Sequence, residues 1–102
     1  MDELTPNLTS DQTRMLETIS AVTDPTRLRI ILFLGGNGRV CVNDITKNFK
    51  ISRPAISHHL KVLKNCNIVE SEKVGQEVFY YVIHKNIVGM LRMLADKLEN
   101  CC

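Results

Sequence analysis

The stretch Ile51-Ser52-Arg53-Pro54-Ala55-Ile56-Ser57-His58-His59-Leu60-Lys61-Val62-Leu63-Lys64 leaves the chain few folds to choose from. At about 100° per residue, a helix through it gathers Ile56, Leu60 and Leu63 on one side. Arg53, Ser57, Lys61 and Lys64 gather on a flank, and Pro54 and His58 continue that arc. Ser52 is a good N-cap, and Pro54 falls in the first turn, where a missing backbone N–H costs little. Short hydroxyls, an imidazole and an arginine near a helix N-terminus can hydrogen-bond base edges and phosphates in a DNA major groove. Taken alone, the helix is by default an ordinary solvated amphipathic face. Its neighbours separate the two readings.

Before it, Thr9 or Ser10 caps a first helix in which Met15, Ile19 and Val22 recur on one stripe. Asp24 caps a second helix with Pro25 at its first position. Leu28, Ile30, Ile31, Leu32, Phe33 and Leu34 surround that helix with apolar surface, so it is expected at the centre of the core, ending at Gly35-Gly36-Asn37-Gly38. Arg27 and Arg29 near its start suit a structural salt bridge. Arg39-Val40-Cys41 reads as a short strand stub. A compact helix follows with Val42, Ile45 and Phe49 on one face, and Cys41 occupies its N-cap, where a thiol is a poor hydrogen-bonding group. Two short helices across a tight turn make a helix-turn-helix.

After it, Asn67 can end the helix in a left-handed conformation. Two β-rich runs, 68–74 and 77–83, are joined by Gly75-Gln76, a two-residue hairpin loop. The second run is apolar on both faces and is expected to pack on the helices, with its partner facing outward. Lys73 and Gln76 near the hairpin tip lie within reach of a phosphate backbone if the hairpin flanks DNA. From Asn86 to Asn100 a last helix carries Ile87, Leu91, Leu94 and Leu98, with Met90 and Met93 widening the stripe. Such a helix needs a partner surface, which its own core and a second copy of the chain can share. The fold class is therefore mostly α with a small β-hairpin wing, a winged helix-turn-helix. Residues 1–8 are read as a flexible tail, and 9–102 as one DNA-binding and dimerisation domain.

The net charge of +2 hides a concentration: residues 1–24 carry one cation and five anions, 25–65 eight and one, and 66–102 four and five. The middle third, at +7, suits a polyanion partner. No run is long enough to cross a bilayer and no apolar leader follows a basic N-terminus, which points to a cytoplasmic protein without membrane contact. No Gly-rich pocket loop, general base or C-x-x-C supports an enzyme. Four cysteines, at 41, 66, 101 and 102, form no zinc-finger spacing, and a secreted disulfide framework does not suit this chain.

The run Asp24-Pro25-Thr26-Arg27-Leu28-Arg29-Ile30, the 51–63 stretch and Gly75-Gln76-Glu77-Val78-Phe79-Tyr80-Tyr81 resemble the ArsR/SmtB family of bacterial metal-sensing repressors over about residues 12–100. The resemblance implies a homodimer, joined through its first and last helices, that leaves its operator when an inducer binds. Two-fold related recognition helices about 34 Å apart would meet successive major grooves of a palindromic double-stranded site. The family's Ser-His-x-Leu element falls on Ser57, His58 and Leu60, and its variable base-reading positions on Arg53 and Pro54. Where arsenic and cadmium sensors carry Cys-Val-Cys-Asp, this chain has Cys41-Val42-Asn43-Asp44. The zinc-type positions on the last helix fall on His84, Asn86, Lys97 and Asn100, three of which are not ordinary ligands, so no zinc site is implied.

Cys101-Cys102 is a vicinal pair, and arsenite, Cd²⁺ and Cu⁺ prefer thiolates, so Cys41, Cys101 and Cys102 are candidate ligands for a thiophilic metal or metalloid inducer. No cofactor is needed for DNA binding itself. A thiol redox or reactive-sulfur signal at the same cysteines is the alternative, and a third reading gives the terminal thiols no role. Cys66 reads as a small apolar residue at a helix end, and His59 as a packed or dimer-side residue. The expected function is a DNA-binding repressor in which Ser52, Arg53, Pro54, Ser57, His58, Lys61, Lys64, Lys73 and Gln76 face the duplex. A thiol metal carrier and a winged helix that binds protein instead of DNA are the competing classes.

Overall fold

Three of the five described helices begin where a side chain satisfies the first free amides. The computed structural model describes residues 9–100; the expected tail at 1–8 and the pair Cys101-Cys102 lie outside them. Thr9 and Gln12 exchange hydrogen bonds in a capping box that opens α1 (Ser10–Thr23). Asp24 accepts the Arg27 N–H at 3.0 Å to open α2 (Pro25–Asn37). Strand β1 (Val40–Cys41) leads directly into α3 (Val42–Phe49), capped by Cys41 with no side-chain hydrogen bond. Ser52 opens α4 (Arg53–Asn65) by accepting the Ala55 N–H at 3.2 Å. Strands β2 (Val69–Val74) and β3 (Glu77–Val82) and helix α5 (His84–Glu99) complete the order.

The core lies where α2, α3, α4 and the base of the sheet meet. Ile30, Leu34, Ile45, Ile56, Leu60, Leu63, Ile68 and Val69 are its fully buried members. Each such side chain stabilises the fold by roughly 1.5–3 kcal/mol relative to leaving it in water. At the end of α4, Asn67 takes φ 62°, the Asn67 N–H donates to Lys64 and the Ile68 N–H to Leu63, both at 3.0 Å. That pair of bonds is a Schellman motif. It ends the helix and delivers Ile68 and Val69 into the core together.

Several expectations need correction. Helix α2 is not apolar surface all round a buried axis: Ile30, Ile31 and Leu34 are buried, but Leu28 is 41% and Leu32 68% exposed. Nor do Gly35 and Gly36 break it. The helix runs on to Asn37 and stops at Gly38, whose φ of 70° is the conformation that requires glycine and whose N–H returns to Leu34 at 3.0 Å. Glycine inside a helix costs only about 1 kcal/mol, less than burying Leu34 returns. The expected strand stub is present as β1, and its pairing adds a third strand to the hairpin: the order is β1-β3-β2, all antiparallel, with Val40 opposite Tyr80 and Cys41 opposite Phe79. Strand β3 is therefore central, and β2 is buried at Val69 but exposed toward the tip. Helix α5 starts two residues earlier than expected, and Asn86, inside it, donates to the Asn67 carbonyl at 2.7 Å. Among the described residues no helix is long and apolar enough to cross a membrane.

Candidate nucleic-acid interface

Helix α3 ends at Lys50, whose backbone is left-handed (φ 54°) and whose N–H donates to Thr46 at 3.2 Å. Ile51 and Ser52 complete the turn, so the chain reverses between two capped helices within a few residues. Burial of Ile56, Leu60 and Leu63 then fixes the rotation of α4 about its axis. Arg53, Pro54, Ser57, His58, Lys61 and Lys64 are consequently all exposed on the opposite side, with Ser52 at its head. The structure brings these seven residues together as the periodicity implied.

Two of them have partners that local spacing could not reveal. The Arg53 guanidinium donates to Asn43 Oδ1, which ties the start of α4 to the first turn of α3. Lys64 Nζ donates to Ser71 Oγ at 2.7 Å and stands 3.6 Å from Glu70 Oε1. Lys64 is thus engaged with the base of the wing, whereas Ser57, His58 and Lys61 present open polar groups. At the far end of the hairpin Lys73 and Gln76 are exposed. Gly75 has φ 63° while Gln76 does not, the combination a type II′ turn uses.

Behind the flank, His59 meets Arg27 rather than solvent alone. Arg27 Nη1 lies 3.2 Å from His59 Nδ1, and Arg27 Nε donates to the Ala21 carbonyl at 2.7 Å. A guanidinium only donates, so Nδ1 accepts and the proton sits on Nε2. Burial, and then the neighbouring Arg27 charge, push the His59 pKa below its ordinary value. Among the described residues Arg27 makes hydrogen bonds in place of the expected salt bridge: it caps the end of α1 and holds α4 through His59. The Arg27 backbone N–H in turn draws the Asp24 carboxyl below its usual range.

The two described cysteines lie at different elements. Cys41 is buried (7% exposed) between the sheet and α3. Cys66 is half-buried, its thiol 3.9 Å from the Glu17 carbonyl, and burial pushes that thiol pKa up, with Glu17 adding to the effect. Among the described residues no group of three or more His, Cys, Asp or Glu is placed to hold a metal ion. Cys101 and Cys102, the other candidate ligands, lie outside those residues, and His84 is exposed at the head of α5.

Sequence reasoning also missed Arg39. Its guanidinium pairs with Glu72 on β2 and lies 4.7 Å from the centre of the Tyr81 ring on β3. No local pattern marks it, because its partners lie on the two strands of the hairpin.

A family model described as "Bacterial regulatory protein, arsR family" matches residues 24–71. Over 80 residues the chain is 38% identical to an uncharacterised HTH-type transcriptional regulator of Methanocaldococcus jannaschii, spanning 78% of this chain and 90% of that one. It is 32% identical over 82 residues to an arsenical resistance operon repressor of Bacillus subtilis, spanning 80% of this chain and 73% of that one. Among solved structures, an ArsR-like transcriptional regulator from Rhodococcus sp. RHA1 superposes with a TM-score of 0.77 at 28% identity, covering 86% of this chain and 82% of that one.

Proposed function

Because this chain belongs to the ArsR family of bacterial regulatory proteins, whose members are transcriptional regulators and not enzymes, we propose that it represses transcription as a homodimer that reads a palindromic operator and releases it on binding an inducer. The observation that carries this reading is the exposed flank of α4, where an arginine, a serine, an imidazole and a lysine stand clear of a face buried at Ile56, Leu60 and Leu63. Arg53, Ser57 and His58 select bases, with Ser52 and Pro54 at the helix entrance; Lys61 and the tip residues Lys73 and Gln76 position phosphates. Lys64 contributes charge near the duplex from its place against Glu70 and Ser71.

The dimer forms through α1 and α5. A groove of about 940 Å³ between them is lined by Met15, Met90 and Met93 among others, and α5 exposes Leu91, Met93 and Leu98. Residues 9–102 then act as a single DNA-binding and dimerisation domain, working in the cytoplasm, and 1–8 as its flexible tail. The inducer is a thiophilic metal or metalloid, arsenite, Cd²⁺ or Cu⁺, held by Cys41 with Cys101 and Cys102. The Bacillus subtilis relative named for arsenical resistance supports that class, as does the preference of such ions for thiolates. Burial of Cys41 beside α3 would let ligation there disturb the helix-turn-helix directly.

Gel-shift of the purified chain on its own upstream region tests the reading. A discrete complex that arsenite or Cd²⁺ dissolves, and that Cys41→Ser or Cys101→Ser/Cys102→Ser makes resistant, is the expected result. Dissolution by peroxide alone would replace the metal by a redox signal, and absence of any complex would overturn the repressor reading.

A further inference from the structure

Strand β2 and the start of β3 bring acidic side chains to the part of the molecule that the proposed function lays beside DNA. By register, Glu70 stands opposite Tyr81 and Glu72 opposite Phe79, so both carboxylates alternate away from Val69 and its buried neighbours. A wing carrying bare carboxylates would be repelled by a phosphate backbone. On β2 each carboxylate has a cation delivered from another element: Lys64 reaches Glu70 from α4, and Arg39 reaches Glu72 from the segment before β1; Glu77, at the head of β3, stays exposed.

The geometry points to Arg39 as a positioning residue that neutralises Glu72 and so lets the wing approach nucleic acid. This rests on the DNA-binding reading above. The Arg39–Glu72 pair is exposed, with side chains 56% and 47% accessible. Such pairs add little to folding stability, so stability does not account for it. Its effect on a nearby polyanion is direct, because cancelling a carboxylate within about 8 Å of phosphates removes a repulsion that physiological salt screens only in part. Tyr81 keeps the arginine in place: the guanidinium lies 4.7 Å from the ring centre, so the cation stays over the sheet instead of ranging freely. The arginine acts through Glu72, without touching DNA. Lys73, the next residue along, then offers its charge to phosphate, with the Glu77 carboxylate exposed near the tip.

The test is a fluorescence-anisotropy titration of a mixed-sequence duplex with the full chain, its Arg39→Ala and Glu72→Gln variants and the double variant, across a range of salt. Arg39→Ala should weaken binding about threefold at physiological ionic strength by exposing the Glu72 charge. Glu72→Gln in the same chain should restore it, with the salt slope of the double variant equal to that of the parent. Thermal unfolding of all four should coincide. If the double variant stays as weak as Arg39→Ala and its salt slope falls by about 0.9, the arginine touches a phosphate itself and the inference is overturned. An Arg39→Ala chain that binds like the parent overturns it too, while leaving the DNA-binding reading intact. A parent chain with no affinity for either this duplex or its own upstream region overturns both.

Discussion

His59 has two faces to answer to, because it lies on the helix assigned to DNA yet accepts a hydrogen bond from Arg27 on α2. Protonating Nδ1 would set two cations 3.2 Å apart and remove the acceptor. Burial and Arg27 both hold the folded-state pKa below the ordinary 6.5, with Asp24 opposing and His58 adding a smaller push downward. The sign follows: above 6.5 neither folded nor unfolded chain protonates here and the contribution is complete; as pH falls through and below that value the unfolded chain takes the proton more readily, so stability declines. Urea midpoints measured from about pH 7.5 to about pH 5 should therefore fall with pH. In His59→Asn, which keeps an acceptor but cannot titrate, that part of the slope should vanish; identical slopes for the two chains would remove His59 as the cause. Asp24 acts in a separate window, since its depressed pKa makes stability drop only as pH falls into the carboxylate range near 3.8.

At the scale of elements, α4 was legible from sequence almost residue by residue, because everything that defines it is local: a cap at Ser52, Pro54 in the first turn and a buried stripe at helical spacing. Losing the cap in Ser52→Ala should cost about 1 kcal/mol of stability, read as a lower midpoint in denaturant with an unchanged slope. The same locality explains the hairpin, where Gly75 marks its own turn. What could not be read depends on distant parts of the chain. The strand stub at β1 could be read but not its place in the sheet, because its partners on β3 come much later in the chain. The Gly35-Gly36 pair looks like a breaker until burial of Leu34 is weighed against it. Lys64 and Arg53 looked equally free because Ser71, Glu70 and Asn43 sit on other elements. The candidate inducer site was legible only as a residue type: three thiols, of which Cys41 alone falls among the described residues.

For the whole molecule, the exposed apolar stripe of α5 and the +7 middle segment belong to one design. Leu91 is 50%, Met93 50% and Leu98 64% exposed, an apolar stripe that suits a partner surface. If the proposed dimer forms through α5, Leu91→Asp with Leu98→Asp should give a monomer in sedimentation and weaken operator binding about a hundredfold or more, since a second copy of α4 no longer binds at high effective concentration. A variant that stays dimeric would place the interface elsewhere. The claim on which all else depends is that the exposed side of α4 selects sequence, and it is tested most directly by titrating operator and mixed-sequence duplexes with Arg53→Ala and Lys61→Ala. Arg53→Ala should lose about 1–3 kcal/mol on operator and little on mixed sequence, whereas Lys61→Ala should weaken both alike and lower the salt slope by about 1. Equal losses on the two duplexes for Arg53→Ala would contradict it.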